Sequence, residues 1–107
     1  MTKPASERRA RARVAVNVPV KVRGANGAQI EATTRDLSTT GVFMYSQSAL
    51  AAGSKLELVL LLPKELGIGR GGWALCQASV VRVEPGKGDR IGVAAALDRI
   101  ELLPELS

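Results

Sequence analysis

The residues of this chain best suited to chemistry fall in two short stretches. One is Asp36-Leu37-Ser38-Thr39-Thr40-Gly41, which brings a carboxylate, a hydroxyl and bare backbone close together. The other is Arg8-Arg9-Ala10-Arg11-Ala12-Arg13, in which Arg9 and Arg13 stand four apart. Guanidinium groups carry a permanent charge and a planar fork of donors, so the second stretch expects an anion: a nucleotide, a nucleic acid, an acidic partner or a membrane surface. In the first, Asp and Ser can bond nearby backbone amides and hold a turn, while Gly41 can take a positive φ. Two readings follow. Either a polar strand connection sits near a solvated charge run, or a rigid rim faces a cationic jaw and the two grip a ligand.

The rest of the inventory offers little chemistry. There is no histidine, which removes the commonest general base and metal ligand, and Cys76 is the single cysteine, with no partner for a disulfide or a zinc site. These counts lead us to expect a non-catalytic protein with no catalytic residues, no bound metal and no cofactor, in a reducing compartment. No apolar run approaches the ~18 residues of a membrane span, and the N-terminus opens polar and arginine-rich. The expected location is cytoplasmic. Residues 1–13 carry Lys3, Arg8, Arg9, Arg11 and Arg13 against Glu7, and so hold four of the five net positive charges of the 107-residue chain. We divide the chain accordingly into a flexible basic arm, 1–13, and one domain, 14–107, that is nearly neutral.

Alternating apolar residues describe the elements that must position these groups. Val14, Val16, Val18, Val20 and Val22 make a first strand, with Pro19 placing it at an edge or in a bulge. Gly24-Ala25-Asn26-Gly27 supplies a hairpin turn, and the return strand runs from about Gln29 to Leu37. Val42 to Ser46 is strand-like, and Lys55 to Leu62 reads as a central strand stopped by Pro63. Trp73 to Glu84 is a long strand, with Ala74, Cys76, Ala78 and Val80 on one face and Leu75, Val81 and Val83 on the other. After the loop Pro85-Gly86-Lys87-Gly88-Asp89 comes a last strand through Ile91, Val93, Ala95 and Leu97. Asp98 and Glu101 then have the spacing of a capping box for a short C-terminal helix carrying Ile100 and Leu103. The fold class is thus all-β: a six-stranded antiparallel β-barrel, the natural way for a small sheet to remove its edges.

Other motifs have plainer explanations. Gly67-Ile68-Gly69-Arg70-Gly71-Gly72 matches a dinucleotide fingerprint on paper, but a strand follows it where a helix would be needed, so it reads as a loop. Cys76 reads as a small core residue and Trp73 as a barrel anchor, with base stacking as the second use of the tryptophan.

The order of arm, strand hairpin and polar corner resembles the PilZ domain family of bacterial cyclic di-GMP receptors. Arg9-Ala10-Arg11-Ala12-Arg13 is similar to the family's RxxxR arm, and Asp36-Leu37-Ser38-Thr39-Thr40-Gly41 to its DxSxxG signature. The resemblance extends from about Glu7 to the end of the last element and implies the barrel with a terminal helix. It departs from the family in its glycine-rich Gly67–Gly72 segment and in the shortness of that helix. It also implies cyclic di-GMP as ligand, with Arg8, Arg9, Arg13, Asp36, Ser38 and Gly41 as binding residues and a downstream protein partner. The chemistry is consistent: guanidinium forks match phosphate oxygens and the guanine O6/N7 edge, and a carboxylate matches the guanine N–H donors. Because Arg8 precedes the arm, the resemblance suggests an intercalated cyclic di-GMP dimer.

Two other readings belong beside this one. A nucleic-acid-binding barrel could use the arm as a clamp, but Phe43, Tyr45 and Trp73 are the only aromatics and leave little stacking platform, so a nucleic-acid partner is not expected. A ligand-free interaction barrel would use the corner only to hold a turn.

Overall fold

Period-two burial builds nearly all of the structure. The computed structural model describes residues 13–24 and 26–104. Within them the chain forms β1 (Val14–Ala15), β2 (Pro19–Gly24), β3 (Gln29–Leu37), β4 (Gly41–Ser46), β5 (Lys55–Leu62), β6 (Gly72–Pro85) and β7 (Ile91–Leu102). Every pairing is antiparallel, in the order β3-β2-β5-β6-β7-β4, and β4 pairs back onto β3. Six strands therefore close into a barrel, and β1 is an additional short strand laid against β3. The inward positions are Val20 and Val22, Leu56, Leu58, Leu60 and Leu62, the small residues Ala74, Cys76 and Ala78, and Met44 and Val93. Each fully buried leucine stabilises the closed form by about 1.5–3 kcal/mol relative to exposure, and the small residues of β6 leave room for them.

The first strand is interrupted where proline makes it difficult to continue. β1 ends at Ala15 and β2 starts on Pro19, a strand's first residue being one place where a missing N–H is tolerated. β2 is not an edge, since β3 and β5 flank it. Thr34, fully buried on β3, fills the gap: its hydroxyl donates to the Val16 carbonyl and accepts from the Val18 amide at 2.9 Å. Asn17 Nδ2 adds a bond to the Thr34 carbonyl at 2.8 Å. The hairpin that follows is the expected one, with Gly27 at φ 86° and the Asn26 side chain accepting from the Ala28 amide at 2.9 Å.

Three expectations are corrected. The short helix after Leu97 does not form: residues 98–102 continue β7, with Arg99 to Leu102 paired with Ala74 to Gln77 of β6, so cross-strand pairing overrides the local capping pattern. The only helical turn among the described residues is a 3-10 turn at Lys64–Leu66. Trp73 does not anchor the core; it is 56% exposed on the outer face, opposite Leu61, which is 46% exposed. Val83 packs partly on the core rather than opposite Val80, because a bulge between Val80 and Arg82 shifts the face of β6 by one residue. The Gly67–Gly72 segment is a loop as read, with Gly67, Gly69, Gly71 and Gly72 all at positive φ and a strand after it.

Two outcomes test this description. Thr34→Val, which leaves the partly buried Val18 amide without its partner, should cost about 1–3 kcal/mol in urea unfolding. Cys76, whose thiol burial pushes up to about 11, should resist thiol reagents at pH 8 in the native state and react at once in denaturant.

Candidate functional site

The polar corner is a tight turn held from within. Ser38 is buried, and its Oγ accepts from the Gly41 amide at 3.0 Å and the Thr40 amide at 3.2 Å, while the Ser38 amide donates to the Gly41 carbonyl at 2.8 Å. Its hydroxyl is thus committed to joining β3 to β4. Gly41 does not use the positive φ that its place in the turn suggested. What it supplies is room: a Cβ there would stand 3.3 Å from the Ala95 carbonyl oxygen and 3.6 Å from a terminal nitrogen of Arg13. The tight approach is to the carbonyl of β7, and the guanidinium lies beside the glycine at ordinary contact distance.

Arg13 reaches the corner because β1 carries it there. Ala15 pairs with Asp36, and Arg13, two residues earlier, shares the outward face. Its Nε donates to Asp36 Oδ1. The other carboxylate oxygen accepts from Arg35 Nε at 2.6 Å. Burial alone would raise the Asp36 pKa, but hydrogen bonds from Arg13 and Arg35 outweigh it and hold the carboxyl below the usual carboxylate range. Asp36 is therefore ionised at neutral pH, with two guanidinium groups half exposed around it.

Of the six residues nominated from sequence, the structure brings Arg13, Asp36, Ser38 and Gly41 together; Arg8 and Arg9 lie outside the described residues. Arg35 was missed. Adjacent strand residues normally point to opposite faces, so an arginine just before Asp36 reads as turned away from it. The register of β3 against β4 slips between Thr34 and Asp36, and the bulge puts Arg35 and Asp36 on the same face. A signal was present in the spacing: Ile30, Ala32 and Thr34 alternate, and the next inward residue is Leu37, three positions on.

Also on this outer face, Arg35 lies over the Phe43 ring with Cζ 3.9 Å from the centroid, and Arg90 lies over Tyr45 at 4.8 Å. Phe43 and Tyr45 meet edge to face at 5.5 Å. No group of three or more metal-ligating side chains occurs among the described residues, nor any helix long and apolar enough to cross a membrane.

Comparison with known proteins places the arrangement in context. The family model of the PilZ domain matches residues 7–102. The fold is similar to that of the inhibitor of motility MotI/DgrA of Bacillus subtilis, at 17% identity and a TM-score of 0.66, over 83% of this chain and 42% of that one. This chain thus spans less than half of the motility inhibitor. It is also similar to the PilZ domain of CeSA from a cellulose synthesizing bacterium, at 21% identity and a TM-score of 0.56, covering 81% of each chain. No curated protein sequence matches.

The Asp36 shift sets a pH dependence. Its folded-state pKa lies below the unfolded value of about 3.9, so the stability it contributes is full above that value and is lost as pH falls through the folded pKa. The arginines are half exposed, so screening limits the contribution to about 1 kcal/mol. Asp36→Asn should therefore unfold at lower urea than the wild type from pH 5 to 8, and the gap should close as pH falls below the usual carboxylate range.

Proposed function

The chain belongs to the PilZ domain family, whose members are known as cyclic di-GMP receptors, and from that premise we propose that it is a cyclic di-GMP-binding effector module without catalytic activity. The observation that carries the reading is the meeting of Arg13 with Asp36 beside Gly41, which joins the last residue of the basic stretch to the polar corner. The two motifs, separated by more than twenty residues in sequence, form one site.

Each part then has a task. Arg9 and Arg13 take phosphate oxygens or a guanine O6/N7 edge, for which a guanidinium fork is suited. Asp36 is the acceptor for the guanine N1–H and N2–H donors; a carboxylate has about four lone-pair positions, and two hydrogen bonds leave room for more. Ser38 holds the corner, and a ligand contact through its hydroxyl would replace one of the turn's own bonds. Gly41 lets the ligand approach the backbone closely. Arg8 makes the basic stretch strong enough for an intercalated pair of ligand molecules, whose phosphate charges relieve repulsion among the arginines. Engagement of the basic stretch by the ligand changes a surface that a downstream protein reads. The module acts in the cytoplasm.

Calorimetry tests this. The wild type should bind cyclic di-GMP at micromolar concentration, with one or two molecules per chain, and should not bind GTP comparably. Arg9→Ala, Arg13→Ala and Asp36→Ala should each weaken binding at least ~30-fold, since each removes a charged partner from a hydrogen-bonded ion-pair site. No heat from the intact protein would exclude the reading, and binding that survives Asp36→Ala but collapses with added salt would assign the basic stretch to nucleic acid instead.

A further inference from the structure

Arg35 is better fixed than a surface arginine has reason to be. The bulge in β3 turns it to the side of Asp36, where its Nε bonds Oδ2 at 2.6 Å. Beneath it lies Phe43, buried at 3% exposure although it is on the outside of the barrel. That ring is itself seated. Gly92 on β7 lies under it, where a Cβ would come 2.7 Å from the ring's Cζ, and Tyr45 packs against it edge-on. The guanidinium is thus held from below by a ring and at its edge by a carboxylate, while its side chain remains 50% exposed. Its pKa is raised by the hydrogen bond it donates to Asp36, so it is charged throughout the accessible range.

A bulged arginine that only covers a phenylalanine would not need the carboxylate, and Arg13 already pairs with that carboxylate. The placement makes sense if the free face of the guanidinium has an occupant. Arginine planes stack on bases as well as on aromatic rings, and one already ordered loses little rotamer freedom on binding. We propose that Arg35, backed by Phe43, is a ligand-contacting residue of the same site: it stacks the guanine whose N–H edge Asp36 accepts. This rests on the cyclic di-GMP reading and adds to it a contact outside the two sequence motifs. The base lies on a platform of Arg35 on Phe43, with its edge on Asp36, and Arg13 remains free to turn its terminal nitrogens to phosphate.

The contact depends on a plane rather than on charge alone, and lysine separates the two. Cyclic di-GMP titrations of the wild type, Arg13→Ala, Arg35→Ala and Arg35→Lys would decide it, with circular dichroism confirming that each variant is folded. Both Arg35 variants should lose roughly 10- to 100-fold in affinity, the range expected for one stacked base. In nitrogen-labelled wild-type protein the Arg35 Nε–H signal should move upfield under the ring current of the bound guanine. Wild-type affinity in Arg35→Lys, or an unmoved Nε–H signal at saturation, would overturn the assignment while leaving cyclic di-GMP as ligand. Absence of binding by the wild type would overturn the assignment and the functional reading together.

Discussion

The seam where β3 meets β4 closes the barrel, and it is also where the chain carries a largely buried carboxylate between two arginines. These facts have one cause. A six-stranded sheet must bend sharply to close, and a bulge is a way to bend a strand without losing its pairing. The bulge between Thr34 and Asp36 sets two consecutive side chains on the outside, so a positive and a negative group emerge side by side. Asp36 faces β1 on one flank and β4 on the other, and the turn that Ser38 ties is only two residues further on. Closure, bulge, turn and carboxylate are one local solution.

That solution depends in turn on the interruption before Pro19. Had β1 and β2 been continuous, β1 would have kept the register of β2, in which paired residue numbers sum to one more than they do in β1. The break lets the register slip by a residue, and the slip puts Ala15 opposite Asp36 and Arg13 on the carboxylate. Three residues without ladder partners would be costly if buried, and Thr34 and Asn17 supply the missing bonds. A proline and a threonine, neither able to bind an anion by charge, therefore set the position of Arg13.

Much of this was legible in sequence, and the failures have a common form. The alternations of β2, β5 and early β6 follow from one buried face, and the Gly24–Gly27 turn from backbone preferences, both local rules. Where sequence reading went wrong, a nonlocal partner decided. Asp98 to Leu102 has a helical cap pattern, but the long β6 offers it a strand to pair with. Val83 changes face through a bulge that no residue type announces, and Trp73 is turned outward by the register of β5 and β6. Gly41 was singled out for backbone freedom it does not use; what a side chain there would crowd is the Ala95 carbonyl of β7. The motif residues Asp36 and Ser38 could be nominated because their chemistry is conspicuous; the pointer to Arg35 was fainter, a break in the apolar spacing between Thr34 and Leu37 that becomes legible only as a bulge.

The central carboxylate also bears on selectivity. A site made of arginines alone would accept any phosphate, and its affinity would fall steeply with salt. Asp36 changes the requirement. It repels a ligand that brings only negative charge, and its two hydrogen bonds leave acceptor capacity that a ligand must meet with donors of its own. The half-exposed arginines on either side meanwhile keep the local charge positive. On the cyclic di-GMP reading, the ligand answers this surface with donors and anionic oxygens together. Sulfate, which has no donor at neutral pH, fails the first condition and a neutral base the second. On that reading, discrimination comes from placing one unfavourable charge at the centre of a favourable field, where Arg13 and Arg35 hold it by hydrogen bonds.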